Sequence, residues 1–313
     1  MSLKNFAHTL KTNSIFWALA WGIIFSFAMS LVKFLSNNIA PLTIVFVRTF
    51  FGLLFFSPFI LKTDITHLKT QKFPLHFLRA TLISAAMFCT YYTYANLPLA
   101  FATSIGFTSP LITVLLASLI FKEKITASQW VALMFGYLGV LIMVQPQSFI
   151  FNQAVLAAIL GNVVTSFVVI LTKYLSRTEN TIQIMAYNNF LSFLLIGIVF
   201  IGTITHGLSQ GDLWLLAVEG GLGVLSQFCY IQALKYGQPS TIAPFEYLRL
   251  VFMIPLGYFL FNEAVSFATL CGGLMIIITT YYITISKTEA GDLQFYKRII
   301  NFFKVKTASG KHL

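Results

Sequence analysis

The sequence predicts an all-α integral membrane protein with ten transmembrane helices, arranged as two five-helix repeats of inverted topology. Hydrophobic residues make up 58% of the 313 residues and charged residues 9%, whereas a soluble domain has roughly 25% charged residues. The apolar residues form runs of about 20, the length that a helix needs to cross a hydrocarbon layer ~30 Å thick. These runs recur at a constant offset of 140 positions. The chain therefore accommodates about ten spans and no second, soluble domain.

The predicted spans are apolar runs bounded by polar or turn residues. Five fall in each repeat, so the first repeat covers residues 1–148 and the second 149–286, followed by a basic tail, 287–313. In that tail, apolar residues at helical spacing among basic ones predict an interfacial helix over 292–305. The ten spans, in order, are 14–36, 41–61, 76–95, 98–120, 127–146, 150–173, 181–204, 212–235, 239–261 and 264–286.

Basic residues predict the orientation of the chain, because Lys and Arg concentrate in cytoplasmic loops. With an even number of spans, both termini lie on the same side of the membrane. Only Lys33 falls clearly on the other side. We therefore expect a multi-pass protein of the inner membrane with both termini in the cytoplasm. The basic residues on the side of the termini are Lys4, Lys11, Lys62, Lys69, Lys72, Lys122, Lys124, Lys173, Arg177, Lys235, Lys287, Lys297, Arg298, Lys304, Lys306 and Lys311.

An internal repeat is visible when the chain is shifted against itself by 140 positions. One constant offset over the whole length indicates duplication of a structural unit. Because each unit has five spans, an odd number, the second unit enters the membrane from the opposite side. Inverted repeats are the architecture of many secondary transporters, whose two halves exchange inward-open and outward-open shapes around a central site. The superposed segments are Lys33–Ser36 on Lys173–Ser176, Phe88–Cys89 on Phe228–Cys229, and Phe121–Glu123 on Phe261–Glu263.

Small residues, proline and glutamate recur in a pattern along the first repeat. The pattern is carried by Ala102–Ser104, Ser109–Leu111 and Phe121–Glu123. With the five-plus-five arrangement, it resembles the drug/metabolite transporter superfamily of EamA type, and the resemblance covers residues 14–286. It implies transport of a small metabolite across the bilayer by alternating access.

Two further segments narrow the resemblance. Thr241–Val251 and Tyr258–Glu263 are similar to the S-adenosylmethionine uptake transporters of obligate intracellular bacteria. Those relatives place a basic residue before an acidic one, whereas here Glu246 precedes Arg249. The resemblance implies uptake or exchange of S-adenosylmethionine or of a similar zwitterionic or cationic metabolite. The alternative is an exporter of amino acids or other metabolites from the same superfamily.

Four charged residues stand out within the apolar spans: Arg48, Glu219, Glu246 and Arg249. A charge at the centre of a span costs ~2.5–3.5 kcal/mol, so each requires a partner, a cavity or a function. Glu246 and Arg249 are three residues apart and share one face of a helix. They form either a buried ion pair that fixes helix packing or a pair of ligand contacts. In the second case Glu246 binds an ammonium or sulfonium group and Arg249 a carboxylate. Pro244 predicts a kink in this span.

Glu219 has three open interpretations: a proton-coupling carboxylate, a ligand contact, or the partner of Arg48. It precedes Gly220-Gly221, where close approach of two helices is expected. The 140-residue offset places Arg48 on Asn188. The two repeats therefore differ in charge at an equivalent position.

Aromatic and amide residues complete the predicted substrate site. For a cation that carries adenine, stacking and cation–π attraction favour a cage of Tyr and Trp with one carboxylate. The predicted cage residues are Trp21, Tyr94 and Tyr247, followed by Phe107; packing or the interfacial belt is the alternative role of such rings. Asn162, near the middle of span six, is the predicted amide contact, and inter-helix hydrogen bonding is its alternative role.

Other classes of function lack the residues they require. The three cysteines lie inside apolar runs without metal-ligand or disulfide spacing. No catalytic His–carboxylate constellation is visible, which leaves an intramembrane enzyme as a remote alternative. No glycine-rich phosphate loop points to ATP-driven pumping, and the basic residues do not form the one-sided face that binds nucleic acid. We expect no enzymatic activity, no catalytic or metal-binding residues and no cofactor; the partners are a small-molecule substrate and the lipid bilayer.

Overall fold

Helices account for all regular secondary structure in the part of the chain that the structure describes. This structure, a computed structural model, describes residues 13–64, 68–97, 102, 105–144, 152–200, 209–262 and 267–287. The predicted interfacial helix over 292–305 lies outside these residues. The helices are α1 (Ser14–Leu35), α2 (Pro41–Leu61), α3 (Phe73–Asn96), α4 (Thr108–Phe121), α5 (Ala127–Val144), α6 (Gln153–Ser176), α7 (Thr181–Phe200), α8 (Gln210–Tyr236), α9 (Pro239–Glu246), α10 (Leu248–Phe261) and α11 (Phe267–Lys287).

Several helices begin at residues that satisfy the free amide groups of a first turn. The Asn13 side chain accepts a hydrogen bond from the Ile15 amide at 2.9 Å, and Ser209 forms a capping box with Asp212 at the start of α8. Helices α2 and α9 begin with proline, which has no amide hydrogen to satisfy. Local sequence thus determines where these helices start.

The length and polarity of the helices fit a membrane. Within the described ranges, seven stretches are long and apolar enough to cross a bilayer, and α9 with α10 forms one of them. Shorter apolar segments lie in α4, α5 and α11. Large apolar side chains such as Phe59, Leu119 and Phe259 are exposed on the outside of the bundle, as expected for a surface that contacts lipid. The chain therefore has a multi-pass architecture, while the count of ten spans stays a prediction.

The helix boundaries repeat at the offset seen in the sequence. Shifted by 140 positions, α4 coincides with α10 at both ends. Lys122 and Asn262, which follow these two helices, are the non-glycine residues with left-handed backbone among those described, with φ of 54° and 52°. Equivalent segments therefore end in the same unusual conformation.

The packing of the helices also repeats. Helix α1 packs against α8 and α10, and the equivalent α6 packs against α3 and α4; α2 packs against α8, and α7 against α3. Helices α2 and α7 pack against each other, as do α5 and α11. Exchanging the two halves leaves this set of helix pairs unchanged, so the packing of the first half repeats in the second.

Equivalent lysines form equivalent hydrogen bonds near the ends of α1 and α6. The Lys33 ammonium group donates to the Leu97 carbonyl oxygen at 3.1 Å, and the Lys173 ammonium group donates to the Gly237 carbonyl oxygen at 2.8 Å. Both residues of the first contact lie 140 positions before their counterparts in the second. Each lysine thus binds a carbonyl oxygen at the C-terminal end of a neighbouring helix, α3 or α8.

The predicted ninth span is interrupted, as expected, but not at its proline. Pro244 has no amide to donate to the Ser240 carbonyl, and the Gln129 amide on α5 donates to that oxygen instead, at 3.4 Å. The helix therefore continues past Pro244 and breaks at Tyr247, where the Leu250 amide donates to the Tyr247 carbonyl at 3.1 Å. The Glu246 carbonyl is left available to a side chain.

Candidate functional site

A cavity of about 260 Å³ lies between the two halves and takes side chains from α1–α4 and α6–α10. Its size is near the lower end of the ~300–1,000 Å³ typical of small-molecule pockets. Four charged side chains line it: Arg48, Arg79, Glu246 and Arg249. This mainly apolar cavity, which carries four charged side chains, is the candidate site.

Two serines donate hydrogen bonds to backbone carbonyls at the starts of α4 and α10, beside the cavity. Ser26 Oγ on α1 donates to the Arg249 carbonyl at 3.2 Å, and Ser166 Oγ on α6 donates to the Ser109 carbonyl at 3.1 Å. The two contacts are equivalent under the 140-residue offset. They hold the start of α10 and the start of α4 against the two helices that flank the cavity.

Asn162 lines the cavity and also supports the backbone beside it. Its amide nitrogen donates to the Ile105 carbonyl at 2.7 Å and to Thr108 Oγ1 at 3.0 Å. The Ile105 carbonyl lies just before α4, where a continuous helix would have supplied a backbone donor. The hydrogen-bonding role given as the alternative for Asn162 is thus present, and its contact with a ligand stays a prediction.

Glu246 and Arg249 lie together at the junction of α9 and α10. Arg249 Nη2 is 3.8 Å from Glu246 Oε2, and Arg249 Nε donates to the Glu246 carbonyl at 3.1 Å. The Tyr230 hydroxyl donates to Glu246 Oε1 at 3.1 Å. Both charged side chains line the cavity, so their pairing does not remove them from a ligand's reach.

The Arg249 guanidinium is surrounded by aromatic rings. Its central carbon lies 4.9 Å from the Trp21 ring centre, 5.0 Å from that of Phe25 and 5.1 Å from that of Phe107. Rings at such distances attract a cation through their electron-rich faces. Of the rings predicted to surround a ligand cation, Trp21 and Phe107 lie beside Arg249, together with Phe25, which was not predicted; a ligand contact of these rings stays a prediction.

Glu219 is the partner of Arg48, one of its three predicted roles. Arg48 Nε is 2.8 Å from Glu219 Oε2, and the Tyr91 hydroxyl donates to Glu219 Oε1 at 2.6 Å. Glu219 is completely buried behind the cavity wall, whereas Arg48 lines the cavity. Gly223 leaves space for the guanidinium, because a Cβ atom there would overlap it.

Arg79 is a cavity residue that the sequence analysis missed. It is 3% exposed, and it donates from Nε to Thr172 Oγ1 at 2.7 Å and from Nη1 to Asn188 Oδ1 at 2.8 Å. The signal was available, because the 140-residue offset that places Arg48 on Asn188 also places Arg79 on Glu219. The contact between Arg79 and Asn188 is therefore the repeat of the contact between Glu219 and Arg48.

The predicted aromatic residues divide into two groups. Trp21 and Tyr94 line the cavity, whereas Phe107 and Tyr247 are buried behind its wall. Phe107 and Tyr247 occupy equivalent positions, at the breaks that precede α4 and α10, and their rings meet edge to face at 5.2 Å. Any role of these two rings in binding is through the residues that they support.

His76 and Glu179 form a His–carboxylate contact that the sequence analysis did not find. The Thr70 hydroxyl also contacts Glu179, so the carboxylate lies between the other two groups, and no described side chain that could act as a nucleophile hydrogen-bonds to the histidine. None of the three lines the cavity. Among the described residues, no three His, Cys, Asp or Glu side chains are placed to hold a metal ion.

Comparison with known proteins shows which family the chain resembles. Residues 12–145 and 152–285 each match the EamA-like transporter family. The S-adenosylmethionine uptake transporter of Rickettsia prowazekii (strain Madrid E) is 28% identical, covering 90% of this chain and 96% of its own. The riboflavin transporter of Brucella anthropi is 27% identical, covering 79% of this chain and 89% of its own. The pseudopaline exporter of Pseudomonas aeruginosa is 23% identical, covering 90% and 99%.

A solved crystal structure shares the fold, with a TM-score of 0.74 at 16% sequence identity. The match covers 90% of this chain and 99% of the other. Both halves of the sequence match the same family, and together they make up most of the chain. The protein therefore belongs to the EamA-like transporter family and is a multi-pass membrane transporter.

Proposed function

We propose that this protein is a secondary transporter that takes up or exchanges S-adenosylmethionine across the inner membrane by alternating access. The observation that carries the proposal is the group formed by Glu246, Trp21 and Tyr230 in the cavity wall. This group already holds a cation, the Arg249 guanidinium. The Rickettsia relative, which is an S-adenosylmethionine uptake transporter, supports the same substrate.

The chemistry of this group suits a sulfonium or ammonium cation. A carboxylate that is removed from water attracts an opposite charge strongly, and an aromatic ring adds cation–π attraction. We expect the substrate cation to displace Arg249 from Glu246 and to contact Trp21. Adenine would then stack on a cavity ring such as Tyr94.

Alternating access follows from the relation between the two halves. We propose ten spans in two halves of opposite orientation, corresponding to residues 1–148 and 149–286. Five spans per half, the constant offset and the exchange of helix pairs support this topology. Two such halves can open the central cavity to either side in turn.

The proposal is tested by uptake of radiolabelled S-adenosylmethionine into liposomes that contain the purified protein. We expect saturable uptake, accelerated by S-adenosylhomocysteine inside the vesicles. Glu246→Gln should lower uptake about tenfold to a hundredfold, because a hydrogen bond to a charged group contributes about 1.5–3 kcal/mol. The matched control is Asp64→Asn, which removes one negative charge from an exposed residue after α2.

Lack of uptake by the folded wild type would contradict the choice of substrate. The runner-up is then an amino-acid or metabolite exporter, measured as efflux from loaded vesicles. Wild-type rates in the Glu246→Gln variant, with uptake intact, would contradict the assignment of Glu246.

The proposed orientation is tested with fusions of alkaline phosphatase, which is active only outside the cytoplasm. A fusion after Leu313 should be inactive, because the positively charged tail stays in the cytoplasm. A fusion after Asn38, between α1 and α2, is the matched control and should be active. An active enzyme at the C-terminus would overturn the proposed topology.

A further inference from the structure

We propose that Arg79 is the carboxylate-binding residue of the cavity. The substrate carboxylate would pair with Arg79 as Glu219 pairs with Arg48 at the equivalent position. This inference rests on the proposed function, since it assigns a part of the substrate to a part of the same cavity. The ligand class is a molecule with a carboxylate at one end and a cation at the other.

The two halves give their equivalent residue pairs different charges. Arg48 on α2 faces Glu219 on α8, and the same helix pair in the other half places Asn188 on α7 opposite Arg79 on α3. One arginine thus has a buried carboxylate at 2.8 Å. The other has a neutral amide in the corresponding place.

Arg79 is a cation that is buried inside the helix bundle. Among the described residues, no carboxylate lies within ion-pair distance of Arg79, and its hydrogen bonds go to the neutral Thr172 and Asn188. A charge held inside the membrane without an opposite charge is expensive and marks a functional position. Thr172 and Asn188 orient the guanidinium, and the cavity is the open direction from which an anion can reach it.

The cavity wall contains hydrogen-bond donors that have no acceptor among the described residues. The amide nitrogens of Asn189 and Gln227 are buried and have no hydrogen-bond partner among the described residues, and both residues line the cavity. Asn189 follows Asn188 on α7. Gln227 is the counterpart of Met87, whose sulfur is 3.3 Å from Arg48 Nη1. Donors without acceptors favour a ligand group that only accepts hydrogen bonds, as a carboxylate does.

The charge balance of the site points the same way. Three arginines, Arg48, Arg79 and Arg249, line the cavity, and two glutamates, Glu219 and Glu246, pair with Arg48 and Arg249. One positive charge remains. In this structure Arg249, which the sequence suggested as the carboxylate ligand, contacts Glu246 and aromatic rings, and a substrate cation that displaced it from Glu246 would still leave it among those rings. Of these three arginines, Arg79 is the one that has no carboxylate within ion-pair distance in the described part of the chain.

The test compares transport of S-adenosylmethionine with that of its decarboxylated analogue, which lacks only the carboxylate. The wild type should prefer S-adenosylmethionine by about tenfold to a hundredfold, the worth of a charge-assisted hydrogen bond. Arg79→Gln should abolish the preference. Asn188→Asp should abolish it too, because it supplies an internal carboxylate at the position that Glu219 has in the other half.

Two controls separate charge from structure. Asn188→Ala removes the hydrogen bond to Arg79 without adding charge, and should retain most of the preference. Lys235→Gln removes an exposed cation at the end of α8 and should leave the preference unchanged. Where Arg79→Gln does not fold, the comparison of Asn188→Asp with Asn188→Ala carries the test.

The outcomes distinguish this inference from the proposed function. If the wild type transports S-adenosylmethionine and the preference is the same in Arg79→Gln and Asn188→Asp, the Arg79 assignment is overturned and the function stands. If the wild type transports neither compound, the proposed substrate fails, and thermal unfolding decides about Arg79. Stabilisation of the purified wild type by sodium acetate over sodium chloride, lost in Asn188→Asp, would support the subsite; equal stability in both salts would overturn it.

Discussion

Glu219→Ala is expected to lower the free energy of unfolding by about 1.5–3 kcal/mol, because it removes the carboxylate partner of Arg48, a cation that lies partly buried at the cavity wall. Arg48 Nε is 2.8 Å from the Glu219 carboxylate. The variant also removes the acceptor of the Tyr91 hydroxyl, now at 2.6 Å. Denaturant titration of the purified protein in detergent measures the change.

The double variant Arg48→Leu/Glu219→Leu is the matched control, since replacing both members of a buried pair by apolar residues is often neutral. We expect it to recover most of the lost stability. A double variant as unstable as Glu219→Ala would show that Glu219 stabilises the protein by other contacts than the ion pair. Transport by the stable double variant would further exclude an obligatory proton-coupling role.

Gly220→Ala is expected to reduce the free energy of unfolding by about 1–3 kcal/mol through overpacking between α2 and α8. A Cβ atom at this position would lie 2.7 Å from Phe51 Cβ, 3.0 Å from the Arg48 carbonyl oxygen and 3.1 Å from the Gly52 amide nitrogen. These neighbours are backbone atoms or the first atom of a side chain, so they cannot move aside without a shift of α2. Thermal unfolding in detergent measures the effect.

Gly221→Ala provides a matched comparison one residue further along α8. A Cβ atom there would meet the Phe55 ring at 3.8 Å, an ordinary contact distance. Since alanine is also the better helix former, this variant should be as stable as the wild type or slightly more stable. Equal losses in both variants would contradict the close approach of α2 and α8 at Gly220.

Hydropathy predicted most of the fold because apolar runs and turn residues determine where spans begin and end. The predicted second span, 41–61, matches α2, and the predicted first span exceeds α1 by one residue. The fourth and ninth spans were exceptions: α4 begins at Thr108, ten residues after the predicted start, and the ninth span continues past Pro244, where Gln129 supplies the donor that the proline lacks. That compensation comes from a residue more than a hundred positions away, which no local pattern reveals.

A charge that interrupts an apolar run drew attention to Glu246, which lines the cavity, and to Glu219, which pairs with Arg48 behind the wall; their contact with a substrate stays a prediction. Arg79 lies only six residues into α3, close enough to the basic end of the span to be overlooked. Side-chain direction was not predictable either. The burial of Phe107 and Tyr247 behind the wall depends on how two helix breaks meet, and the sequence pattern holds only the positions of the breaks.

The contact between Phe107 and Tyr247 has a mechanical consequence. In the proposed arrangement of two inverted halves, equivalent residues meet only near the axis that relates the halves, so the ring contact at 5.2 Å would mark that axis. Under the proposed alternating access, residues near that axis would move least. The two rings would therefore stay nearly in place, and Arg48 and Arg79 would lie on opposite sides of the axis. Arg48 has a carboxylate partner in the protein itself, and Arg79 would receive one from the substrate.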